Sequence, residues 1–289
     1  MTPSLAPLAD RGVIDVTGAD AEPLLDGLVT NSLDRLKPTG LIHTALLSPQ
    51  GKILFDFFLF RTATGFLIDV AKSAAPDLIK RLSFYRLRAD VTFTDKSDDL
   101  LVAALWPAGA TPPGGVISAP DPRNADLGLR LILPIARLSE IPADTVDQAT
   151  YEAHRIALGI PAAGTDYELG DAFPHEALFD QLKSVDFKKG CFIGQEVVSR
   201  MQHRGTARKR TVRVKLSEPV AAGTEITAGE ATIGAIGSTS GTTAIALMRL
   251  DRAGEAVTSG TPLTAGPATL ELDFPDWLHL DPETGKAVD

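Results

Sequence analysis

The sequence predicts an α+β protein that ends in a small antiparallel β-barrel. Strands and helices succeed one another in its first half without the strict β-α-β alternation of a nucleotide-binding sheet. After about Arg210 only short alternating strands remain, separated by glycine-containing turns. With 289 residues, 44% hydrophobic and 22% charged, the chain is long enough to bury one large core or several smaller ones.

The elements follow in order. GVIDVTG reads as a strand, and GADAEPLLDGLVTN as a helix with an acidic, proline-containing entry and helical apolar spacing. LIHTALLSPQGKILFDFFLF reads as two strands joined by a turn at Ser48, Pro49, Gln50 and Gly51. FLIDVA is a further strand, followed by a helix over about 75–86 and by RADVTFTD, which alternates again. The Pro- and Gly-rich stretch 107–126 marks a loop between subdomains, after which LGLRLILP resumes ordered structure. A helix is expected over ADTVDQATYEAHRIALG, opened by an acid and closed by Gly159. RTVRVKLS, EITA, ATIGAIGSTS, TTAIALMRL and ATLELDF supply the barrel strands. The expected division is a core of two interleaved α+β subdomains over 1–205 and a barrel domain over 206–289.

Several function classes are excluded. The longest apolar runs, such as ILFDFFLF, carry a charge and fall far short of the roughly 20 residues of a membrane span. No GxGxxG or GxxxxGK(S/T) follows a strand, so dinucleotide and P-loop chemistry have no support. The first residues, MTPSLAPLADRG, lack both signal-peptide and transit-peptide character, which makes the cytoplasm the expected compartment. A single cysteine excludes an intramolecular disulfide, and with five scattered histidines it cannot complete a zinc or iron-sulfur site within one chain.

Charge is unevenly spread. The net charge of -9 argues against nucleic acid as a partner, yet between Lys188 and Lys215 nine basic residues face one acid, Glu196. That concentration suits a small anion or a solvated basic face. The same stretch, KKGCFIGQEVVSRMQHRG at 188–205, holds the only cysteine. Gly190 and Gly194 allow close approaches, Gly194 can cap a helix from Gln195 to about Gln202, and Gly205 can end it. Glu196, Arg200 and Arg204 share one face of that helix, which also accounts for them as an intrahelical ion pair. Cys191 precedes the helix with Lys188 and Lys189 beside it, a setting that favours a thiolate. The alternative is a small buried hydrophobe, and no catalytic partner among His154, His175 and His203 has a recognisable setting.

KGCFIGQE resembles the signature K-G-C-(Y/F)-x-G-Q-E of the YgfZ-type folate-binding proteins, which act in iron-sulfur cluster assembly and repair and are relatives of the aminomethyltransferase of the glycine cleavage system. RIALGIPAAGTDYELGDAFPHEA, LVTNSLDRL, LLSPQGKILFDF and LSFYRLRADVTFTD resemble further blocks of the family, so that the likeness spans nearly the whole chain. It implies a ring of three domains around a central channel that accepts tetrahydrofolate, the last domain being the barrel. Iron-sulfur client proteins are the implied partners. An apolar pterin and glutamate carboxylates, one or several, suit a pocket with aromatic walls and a basic mouth.

The resemblance places Asp56 at the aspartate that assists chemistry on the folate in the aminomethyltransferases, and Cys191 as a reactive thiol at the channel edge. It adds Asn31, Phe60, Lys189, Gly190, Gln195, Glu196, Arg200 and Arg204 as the ligand-facing set. Two departures disfavour aminomethyl transfer: Phe60 stands for a tyrosine, and Ala157 replaces the glutamate that orients the pterin. The implied role is therefore a folate-binding assembly or repair factor, with a folate-dependent one-carbon transferase as the alternative. Alternation in ILFDFFLF puts Asp56 on the face opposite Phe55 and Phe57.

Overall fold

The computed structural model describes residues 2–107, 109, 111–205, 207–281 and 284–288. Two compact units divide them. The first comprises the residues up to Leu47, then Leu54–Tyr151 and Leu182–Ile193; the second comprises Ser48–Ile53, Glu152–Gln181 and the residues from Gly194 onward.

The first unit is built on two five-stranded sheets. One consists of the strands Leu41–Leu47, Ile53–Arg61, Gly65–Ala71, Arg11–Thr17 and Thr92–Asp95, in that spatial order. Its strands show the expected period of two. Phe57 and Leu59, Ile14 and Val16, and Phe66, Ile68 and Val70 bury one face against the helices Ala21–Leu28 and Ala75–Arg86. Leu25 and Leu28 of the first helix, and Ala75, Leu78 and Leu82 of the second, complete that core at helical spacing. Residues offset by one position, among them Asp56, Phe58 and Asp69, take the opposite face.

The other sheet orders the strands Asp144–Thr145, Ser4–Pro7, Leu100–Trp106, Leu129–Pro134 and Ile117–Pro120. Leu5, Ala103, Leu105, Leu131 and Leu133 form its core, which leaves Arg130 on the reverse face. The segment 143–147, expected within a helix, instead contributes Asp144 and Thr145 as a parallel partner of Ser4 and Leu5. Thr145 and Val146 are β-branched and favour an extended backbone. The helix starts at Gln148, where the Asp147 carboxylate accepts the Thr150 N–H at 2.8 Å.

The second unit contains the barrel. Lys209–Leu216, Thr243–Arg249, Ala231–Ser240, Glu225–Ala228, Leu263–Ala265 and Ala268–Leu272 form a closed antiparallel ring, sealed by pairing of the first strand with the last. The α+β class and the small barrel are thus as the sequence predicts. A sixth strand, Leu263–Ala265, and a helix, Leu250–Ser259, join the five expected strands. Thr206, where the sequence places the barrel boundary, lies outside the described residues.

One buried acid organises the approach to this barrel. Asp166 accepts hydrogen bonds from Arg155 Nη1 at 3.0 Å, the Ala162 N–H at 2.8 Å and the Ser238 N–H at 2.6 Å. It thereby ties the helix Gln148–Ala157, the loop after it and a barrel strand together at a fully buried carboxylate. Asp166→Asn leaves Glu152 as the remaining charge partner of the buried Arg155 guanidinium, replaces one buried acceptor with an amide donor facing groups that themselves donate, and is expected to cost about 2 kcal/mol. Urea denaturation checks this; a loss below about 1 kcal/mol would contradict it.

Candidate functional site

On the helix-free face of the first sheet, Asp69 is wholly buried. Arg11 Nε donates to its Oδ1 at 2.6 Å, and Arg130 Nε, from the other sheet, donates to its Oδ2. Arg123 holds Asp121 through both carboxylate oxygens, at 3.0 and 2.8 Å. The ring of Phe58, paired in register with Asp69, lies under all three guanidiniums, with Arg130 at 4.0 Å, Arg123 at 4.8 Å and Arg11 at 5.9 Å from its centroid. Burial pushes the Asp69 and Asp121 carboxyls up, but the adjoining guanidiniums more than offset this and hold both below the ordinary carboxylate range.

Asp56 borders this network. It shares a face with Phe58 and lies opposite Phe55 and Phe57, and its side chain is 14% exposed. His43 Nε2 stands 3.6 Å from Asp56 Oδ2, and His43 Nδ1 meets Ser184 Oγ at 2.7 Å. Burial raises the Asp56 carboxyl; the hydrogen bond from His43, then the charges of Arg11 and Arg123, outweigh it and keep the group anionic. Burial also lowers the His43 imidazole, so it is neutral near pH 7.

Ser184 opens the segment that carries the cysteine. Thr30 Oγ1 donates to Ser184 O at 2.8 Å, and Asn31 Nδ2 donates to His43 O at 2.9 Å and Lys183 O at 2.8 Å. Lys189 Nζ donates to the carbonyls of Asp26, Val29 and Asn31 at 2.6, 2.8 and 3.0 Å, with a side chain 2% exposed. These bonds use the three ammonium hydrogens. Burial pulls this lysine below its ordinary value against the opposing charge of Asp26. The segment 183–189 is therefore clamped, and Cys191 beyond it is exposed.

The remainder of the motif belongs to the second unit. Its helix runs Gln195–Arg204, capped by Gly194 and ended by Gly205, both left-handed as the sequence requires. A Cβ on Gly194 would lie 2.6 Å from Ser48 O and 3.0 Å from Gly51 Cα, so the hairpin tip itself demands glycine there. Glu196 pairs with Arg200 one turn on, both exposed. Arg204 is directed to a separate cavity with His203, away from that pair.

The predicted residues thus fall into groups. Asn31, Asp56 and Lys189 join one hydrogen-bonded region of the first unit, through His43 and Ser184. Phe60 lies on the Asp56 face and is buried, while Gly190 is exposed beside Cys191. Gln195, Glu196, Arg200 and Arg204 stand on the motif helix. Sequence reasoning missed His43, Phe58, Asp69, Asp121, Arg11, Arg123 and Arg130. A signal existed for three of them, since His43 in LIHTALL, Asp69 in FLIDVA and Arg130 in LGLRLILP each interrupt an apolar strand with a single polar or charged group.

Two consequences can be measured. Lys189→Met strands three carbonyls and should lower stability by about 3 kcal/mol, whereas Lys188→Met, at an exposed neighbour, should stay within about 0.5 kcal/mol in the same urea titration. Equal effects would contradict the clamp. His43 and His175 are both lowered from 6.5, chiefly by burial. The unfolded chain then binds protons near pH 6.5 that the folded chain takes up only at lower pH, so stability falls as pH drops below 6.5. Thermal scans from pH 7.5 to 5 should show a falling midpoint before the depressed carboxylates titrate; a flat profile would contradict the burial of neutral histidines.

Residues 208–280 match the family described as CAF17, C-terminal beta-barrel domain. The fold is that of the glycine cleavage system aminomethyltransferase T from Bartonella henselae, with a TM-score of 0.75, 17% identity and coverage of 99% of this chain and 88% of that one. The iron-sulfur cluster assembly factor IBA57 homolog of Mycosarcoma maydis is 32% identical over 225 residues, 72% of this chain and 56% of that protein. The chain thus spans little more than half the length of that fungal relative. Human IBA57 is 32% identical over 260 residues, 81% of this chain and 72% of the human protein, and the mouse protein is 33% identical over 259 residues, with the same coverage. All three relatives are named mitochondrial, which overturns the cytoplasmic assignment drawn from the absence of a leader-like start. The chain belongs to the family of the iron-sulfur cluster assembly factor IBA57.

Proposed function

We propose that this protein is a tetrahydrofolate-binding factor that assists assembly or repair of iron-sulfur clusters in client proteins. The observation that carries the reading is the anionic Asp56 beside neutral His43, on the same hydrogen-bonded face that clamps the Cys191 segment. A pterin presents an amino group and a ring N–H side by side, and a carboxylate accepts both. The donor set fits a pterin in this respect. Cys191 supplies one exposed thiol, and among the described residues no group of three or more His, Cys, Asp or Glu could hold a metal ion. A cluster handled here would take its other ligands from a client or carrier protein. The names of the relatives agree with a role in cluster assembly. Among the described residues no helix is long and apolar enough to cross a membrane.

A folate-dependent one-carbon transferase is the second reading, favoured by Asp56 alone; Ala157 and Phe60 count against it. Product analysis with methylene-tetrahydrofolate separates the two, because a transferase turns the folate over and an assembly factor returns it unchanged.

Calorimetric titration with tetrahydrofolate should give saturable binding that Asp56→Asn weakens about tenfold or more. Cys191→Ser should bind folate like the wild type, stay folded and fail to restore iron-sulfur enzyme activity in cells lacking the protein. Absence of folate binding would remove the folate half of the reading; full restoration by Cys191→Ser would remove the thiol half.

A further inference from the structure

The second unit holds a cavity of about 350 Å³ whose cationic lining comprises Arg204, Arg210 and Lys286, with His203, His175 and Gln202 around them. Among the described residues no carboxylate lines it. Arg210 forms its back wall and is 3% exposed. Arg210 Nε donates to Gly285 O at 3.1 Å, and Nη1 donates to His175 O at 2.6 Å and to Asp180 Oδ1 at 2.7 Å. The Asp180 carboxylate, behind the wall, balances the Arg210 charge. Arg204 and Lys286 have no such balance, since neither forms an ion pair among the described residues.

Both are positioned. Arg204 closes the last turn of the motif helix, whose end is fixed by Gly205 in the left-handed region, its N–H donating to Met201 O. The Lys286 stem rests on Gly205, so close that a Cβ there would lie 3.2 Å from its Cδ and 3.3 Å from its Cε. The tail that carries Lys286 is held by Arg210 at Gly285 and by a bridge between Leu280 and Ala287. Backbone anchored on both sides of a concave site presents its cations to an entering anion without rearrangement of the chain. A guanidinium fork and an ammonium, with no carboxylate in the lining among the described residues, match the oxygens of a phosphate group or a carboxylate.

We propose that this cavity is a binding site for a small oxyanion, held by Arg204 and Lys286 against the Arg210 wall. The site stands apart from the folate reading, because its ligand needs no pterin.

Calorimetric titration of the full chain at low ionic strength, with inorganic phosphate in one arm and citrate in the other, tests it. Saturable binding of at least one anion is expected. Phosphate alone would mark the ligand as a phosphate group, and citrate alone as a carboxylate. Arg204→Ala and Lys286→Ala, both at exposed positions, should each weaken that binding about tenfold or more. Arg208→Ala removes the same charge from an exposed position outside the cavity lining and should change it less than about twofold. No saturation with either anion, or an Arg208→Ala loss equal to that of Arg204→Ala, would overturn the proposal.

Discussion

Everything in the first unit depends on how a carboxylate with no access to water is kept charged. Asp69 sits in the middle of a strand whose other residues are apolar, and alone it would be intolerable there. Arg11 reaches it from the neighbouring strand and Arg130 from the reverse face of the second sheet, so the ion pair is also the joint between the two sheets. Three guanidiniums and the ring of Phe58 then stack in a small volume, with Asp121 as a second acid. Such a network gives less net stability than an apolar core of equal size, and its removal one partner at a time is costly.

The functional geometry follows from that constraint. Three buried or half-buried guanidiniums face two fully paired acids, and Asp56 supplies the third negative charge at the border of the network. Asp56 is thus held anionic by the architecture and remains partly accessible, a state suited to accepting N–H groups. His43 extends the same region to Ser184, and the lysine clamp at Lys189 fixes the chain just before Cys191.

Much of this fold was legible in the residues. The hairpin at Ser48–Gly51, the helix Ala75–Arg86 and five barrel strands carry clear alternation or helical spacing bounded by turn residues. Leu100–Trp106 went unassigned because LLVAALW is apolar on both faces and shows no period. Ser4–Pro7 and Asp144–Thr145 pair only with each other and with distant strands, so nothing local announces them. The signature around Cys191 was readable as a string, with its caps at Gly194 and Gly205, but the partners of Lys189 lie some 160 residues earlier. Similarly, Arg11, Asp69, Asp121 and Arg130 are single charges in separate elements, and only the topology brings them together.

Hydrogen-deuterium exchange of the full chain with and without tetrahydrofolate is the decisive measurement, because it locates the ligand without altering any residue. Added protection is expected in Ile53–Arg61 around Asp56 and in the segment 183–193 that carries Cys191. Protection confined to the second unit, or none at a saturating folate concentration, would contradict it.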